Sequence, residues 1–75
     1  MLRLCDVPPN QFARIIKLPK NPRIEDGFNK YEIDECSLIR IIAAHHHIIF
    51  ESKKRVFYIS NALATQIGVL IIPSY

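Results

Sequence analysis

Apolar and polar residues change places along this chain in short runs, and the period of each run predicts an element. Leu2–Val7 is an apolar lead-in, and Pro8, Pro9 and Asn10 form a turn. Gln11–Leu18 alternates with a period of two, which predicts a strand with Ala13 and Ile15 on one face and Phe12, Arg14 and Ile16 on the other. Pro19, Asn21 and Pro22 stop it. Within Arg23–Tyr31 the apolar residues Ile24, Phe28 and Tyr31 are spaced by four and three, which predicts one short amphipathic helix weakened by Gly27. Glu32–Cys36 is an acidic turn.

The second half reads as a meander. Ser37–Ala44 predicts a strand with Ile39, Ile41 and Ala43 on one face and Leu38, Arg40 and Ile42 on the other. His45, His46 and His47 break it, and Ile48–Glu51 is the next strand. Ser52, Lys53 and Lys54 make a tight connection to Arg55–Ile59. Ser60 fits a helix N-cap, with Ala62, Leu63, Ala64 and Ile67 in one or two helical turns and Gly68 at the C-cap. Val69–Ile72 is a last strand, ended by Pro73. The plan is mainly β: residues 1–75 as one small SH3-like β-barrel with one or two short helices, its core drawn from Ala13, Ile15, Ile39, Ile41, Val56, Leu63, Ile67 and Val69.

Composition narrows this picture. Seventy-five residues leave about 4,700 Å² accessible when folded, so two domains or a large pocket are excluded. A hydrophobic content of 49% excludes disorder, and no apolar run reaches the length of a membrane-spanning helix. The start of the chain does not read as a signal peptide, so a cytoplasmic protein is expected, with Cys5 and Cys36 as buried, reduced thiols. The net charge is +3, but five of the seven acids are Glu25, Asp26, Glu32, Asp34 and Glu35, whereas cations gather at Lys53, Lys54 and Arg55. Two-sided charge suits a protein partner better than a nucleic-acid groove.

At this point the chain resembles the FeoA family, small SH3-like proteins of bacterial ferrous iron transport. The stretch from Leu4 to Ile15 is similar to the family's lead-in and first strand. Ile33–Ile41 is similar to its turn and strand, with Ser37, Ile39 and Ile41 on matching positions. Arg55–Val69 is similar to its closing strand, its Ser-x-x-Leu-Ala-x-x-Ile helix turn and its last strand. The chain departs from the pattern where Glu32 and Cys36 replace glycine, where Glu35 replaces proline, and where the histidine run replaces a proline- and glycine-rich hairpin tip. Glycines there would reach turn conformations that Glu and Cys adopt only at a cost.

The resemblance implies a non-enzymatic accessory protein without a cofactor. Its partner would be the FeoB permease, met at the GTP-binding domain or the cytoplasmic side, so that the chain touches the membrane only through that partner. The charged groups beside the turns, Lys53, Lys54 and Arg55 with Glu32, Asp34 and Glu35, are the candidate partner-binding residues. Weak self-association stays open.

The histidine run is the loudest chemical feature. His45, His46 and His47 could ligate a transition metal, which makes a small metal-binding or metal-sensing protein one alternative. The plainer reading of the run is an exposed polar turn. A second alternative is a nucleic-acid-binding barrel with Phe57 or Tyr58 as a stacking platform beside the basic turn. These two residues are adjacent in a strand, so at most one can stack. No catalytic motif is present.

Overall fold

The computed structural model describes residues 2–73. Six antiparallel strands form one sheet: β1 (Leu2–Arg3), β2 (Phe12–Lys17), β3 (Leu38–Ala44), β4 (His47–Ser52), β5 (Arg55–Ser60) and β6 (Gly68–Ile72), in the order β1-β6-β2-β3-β4-β5. Two short helices, α1 (Pro22–Lys30) and α2 (Asn61–Ala64), and a 3-10 turn at Leu4–Asp6 complete it. The accessible surface is 4992 Å², close to the value expected for this length.

The mainly β plan with two short helices holds, but the barrel does not close. β1 and β5 are the two ends of the strand order and do not pair. Side chains fill the gap instead. α2 packs on β4, β5 and the 3-10 turn. Leu4, Val7, Ala64 and Ile67 are all buried, and the Leu4 amide donates to the Ile67 carbonyl at 2.8 Å.

Local sequence accounts for the helix ends. The Asn21 side chain accepts from the Arg23 amide at 3.0 Å, and Pro22 occupies the first helical turn of α1, where its missing N–H costs nothing. The residues expected only to stop β2 therefore also start α1. Ser60 caps α2 as expected, its hydroxyl accepting from the Leu63 amide at 3.2 Å. Thr65, not Gly68, ends α2; Gly68 opens β6 and is buried.

Two register effects correct the expected core. β3 and β4 pair Ile41 with Phe50 and then Ala43 with Ile49, a bulge that takes up Ile42. The alternation flips there, so Ala44 rather than Ala43 packs against the core. In the β4–β5 hairpin, Ser52 faces Arg55, so Val56 lies opposite Glu51 and Phe57 opposite Phe50. Val56 is consequently 50% exposed, and Phe57 takes the inward position expected of it. Leu63 is half-buried. The remaining expected core residues are buried, joined by Leu4, Val7, Phe28, Ile33, Ile48, Phe50 and Ala64. The side chain of Ile24, expected on the apolar stripe of α1, lies outside the described residues.

Phe50 has no exposed surface and sits between Phe28 of α1 and Phe57 of β5. Phe50→Ala should cost about 3–5 kcal/mol, most of the stability of a domain this small, whereas Val56→Ala should cost well under that. Urea denaturation of the two variants checks the contrast; equal losses would place Val56 in the core.

Candidate functional site

The charged turns that the sequence singles out meet at one end of the molecule. Lys53 and Lys54 form the two-residue β4–β5 turn, with φ of 52° and 66°. Two successive positive φ values are those of a type I′ turn, whose twist matches the flanking strands. Glu32, Asp34 and Glu35 lie in the loop between α1 and β3. The Lys53 ammonium donates to the Glu32 carbonyl, tying the hairpin tip to this loop. The two charge groups, expected on separate sides, are therefore neighbours. Among the described residues the ion pairs are Arg3–Asp6 and Arg40–Glu51, so none of these six side chains is engaged in one.

The acidic loop is built by its own hydrogen bonds. The Ser37 hydroxyl accepts from the Asp34 amide and donates to the Asp34 carboxylate, both at 3.0 Å. The Cys36 amide donates to the Ile15 carbonyl at 2.6 Å, and Arg14 donates to the Cys36 carbonyl at 2.9 Å. Asp34 thus spends its carboxylate on the loop, while Glu32, Glu35, Lys54 and Arg55 remain exposed. Glu32 and Cys36 have φ of 59° and 83°, the left-handed region that glycine adopts freely. Strain therefore stands at the two positions where the sequence lacks the expected glycines.

A ladder of aromatic rings runs behind these turns. Phe28 meets Phe50 edge-on with centroids 6.2 Å apart, Phe50 stacks on Phe57 at 5.2 Å, and Tyr31 meets Phe57 edge-on at 5.4 Å. Arg55 lies 5.1 Å and Lys30 5.7 Å from the centroid of the Tyr31 ring. Beside the ladder, α1, β5 and α2 enclose an open apolar groove of about 210 Å³. Gly27, Phe28 and Tyr31 form one wall, and Phe57, Tyr58 and Leu63 the other. No motif in the sequence marks this groove. Its one legible signal was the exposed aromatic of the Phe57–Tyr58 pair: Tyr58 is 70% exposed and Phe57 packs inward.

The histidines stand elsewhere. His45 and His46 make the β3–β4 turn, His47 opens β4, and all three are exposed. The Asn61 side chain donates to the His45 carbonyl at 2.9 Å, which fastens this turn to α2. Among the described residues, no group of three or more His, Cys, Asp or Glu side chains is placed to hold a metal ion. Cys36 is at the opposite end of β3 from the run. Both cysteines are free, and Cys36 is exposed rather than buried as expected. Partial burial, with the Asp6 carboxylate adding to it, pushes the Cys5 thiol above its ordinary range, so it stays protonated and is a poor nucleophile near neutrality. Among the described residues, no helix is long and apolar enough to cross a membrane.

Comparison with known proteins gives a fold. A crystal structure described as the iron uptake regulatory protein FeoA superposes on this chain with a TM-score of 0.80, at 14% sequence identity. The match covers 95% of this chain and 96% of that one. No protein-family model matches the sequence, and no curated protein matches it either. At that identity the likeness shows a FeoA-like, SH3-like fold.

Glu32→Gly and Cys36→Gly should each raise stability by about 1 kcal/mol, because glycine relieves the left-handed strain. Chemical denaturation of the two variants measures this, and a loss in either would mean that its side chain, not its backbone, holds the loop.

Proposed function

We propose that this protein is a non-catalytic accessory of bacterial ferrous iron uptake, acting in the cytoplasm by docking on the cytoplasmic side or GTP-binding domain of a FeoB-type permease. The observation that carries this reading is the end-to-end match to the FeoA fold, in which nearly all of both chains is accounted for. The sequence patterns around Leu4–Ile15, Ile33–Ile41 and Arg55–Val69 point the same way.

A docking role also suits the surface chemistry of the molecule. The core uses nearly every inward-facing apolar residue, and the groove beside β5 is open and apolar with one charged lining residue, Arg23. Exposed Lys54 and Arg55 next to Glu32 and Glu35 offer both signs of charge for orienting a partner. Such rim charges steer encounter more than they add affinity, so binding should weaken as salt rises.

Titration of this chain against the purified GTP-binding domain of a ferrous permease from the same genome should give a dissociation constant on the order of tens of micromolar or tighter. The double substitution Lys54→Glu with Arg55→Glu should weaken it and flatten its salt dependence. No binding at that concentration, with no iron-transport gene beside this one, would overturn the reading.

A further inference from the structure

We propose that the free edge of β5 and the groove beside it form a peptide-binding site for an extended, acidic segment of a partner protein carrying one large apolar side chain. This rests on β5 and the two helices that flank it, and does not depend on whether the partner is a ferrous permease.

A two-residue turn makes Ser52 and Arg55 the closing hydrogen-bonded pair. Hydrogen-bonded pairs alternate along an antiparallel ladder, so Phe50–Phe57 and Ile48–Ile59 are the next ones. The N–H and C=O groups of Val56 and Tyr58 therefore point away from β4. β5 is the last strand of the sheet, and no turn or loop bond takes up these groups among the described residues.

Natural edge strands are protected by shortness, proline, bulges or charge. β1, at the other end of the strand order, is two residues long. β5 is six residues long, pairs with β4 without a register shift and contains no proline. Its most exposed apolar side chains are Val56 at 50% and Tyr58 at 70%. An edge so open is a template for strand addition, in which main-chain bonds supply affinity and a neighbouring pocket supplies selectivity.

The pocket is present. The groove is lined by Phe57 and Ile59 from one face of β5 and by Tyr58 from the other, so it follows the strand's free edge. Its volume of about 210 Å³ accommodates one large apolar side chain. Charge selects the rest of the segment. Arg23 is the charged residue in the lining, Arg55 and Lys30 stand over Tyr31, and Lys53 and Lys54 precede β5. At 100° per residue, Glu25 and Asp26 point about 130° around α1 from the groove face. An approaching segment therefore meets Arg23, Lys30 and Arg55 along the groove, while Glu32 and Glu35 stand in the loop at the hairpin-turn end beside Lys53, so acidic residues flanking the anchor complement the groove's own cations.

Gly27 provides a test that does not damage the fold. A Cβ placed there meets nothing within 4 Å, and a residue other than glycine strengthens the helix. Gly27→Trp should fill the groove with an unchanged or higher melting temperature. The probes are fluorescein-labelled synthetic peptides of alternating glutamate and valine with a central phenylalanine, leucine or tryptophan, followed by fluorescence anisotropy. Saturable binding is expected. It should weaken about tenfold or more with alanine as the anchor, with Gly27→Trp, and with alternate backbone N-methylation of the peptide. Arg23→Glu should reverse the preference toward the lysine counterpart of the peptide. Absence of saturation for all three anchors, or binding indifferent to Gly27→Trp or to N-methylation, would overturn the proposal. A concentration-dependent dimer in sedimentation that Gly27→Trp dissolves would assign the edge to a second copy of this chain and overturn it equally.

Discussion

Phe57 holds two parts of this molecule together. Its ring stacks on Phe50, directly across the β4–β5 ladder, and receives the edge of Tyr31 from the end of α1. Offset-stacked and edge-on geometries align the positive rim of one ring with the negative face of the next, which adds about 0.5–1.5 kcal/mol per pair to ordinary burial. α1 has only nine residues with a glycine among them, and an isolated helix that short does not persist in water. The aromatic ladder is what places it. Without that placement the groove loses one wall, Arg55 and Lys30 lose the ring they rest on, and the acidic loop that follows α1 loses its anchor.

The ladder in turn depends on the parity of one tight turn. Lys53 and Lys54 both adopt left-handed backbone, which costs about 1–2 kcal/mol per residue for side chains other than glycine. The two-residue turn they make fixes Ser52 opposite Arg55 and hence Phe50 opposite Phe57. One residue more or less would move Phe57 to the outer face and Val56 to the core. The contact from Lys53 to the Glu32 carbonyl braces the same turn against the α1–β3 loop. Left-handed residues thus stand on both sides of the contact that joins the two turns, Glu32 and Cys36 in one and Lys53 and Lys54 in the other.

Much of this was legible in the sequence because it is local. Period-two alternation located β2 and β3, apolar runs bounded by turn residues located β4, β5 and β6, and Ser60 marked its helix through a hydroxyl that can cap only its own chain's next turn. The resemblance to the FeoA pattern, which has glycine where Glu32 and Cys36 stand, implied left-handed backbone at both positions. What the sequence hid is non-local or depends on parity. A bulge at Ile42 leaves no mark on an uninterrupted apolar run. Val56 and Phe57 are both good strand residues, and only the turn geometry decides which faces inward. The proximity of the basic and acidic turns, and the groove between α1 and β5, depend on where the helix docks. The histidine run was conspicuous for its composition, yet the structure gives it the place of an exposed turn.

Both the charged surface and the groove rest on α1 being held to the sheet by the Tyr31–Phe57 contact. Amide hydrogen exchange on Tyr31→Leu tests that most directly. The amides of α1 should lose protection by about tenfold or more while β2, β3 and β4 keep theirs, because the helix would open as a local unit. Unchanged protection in α1, or an equal loss throughout the sheet, would contradict it.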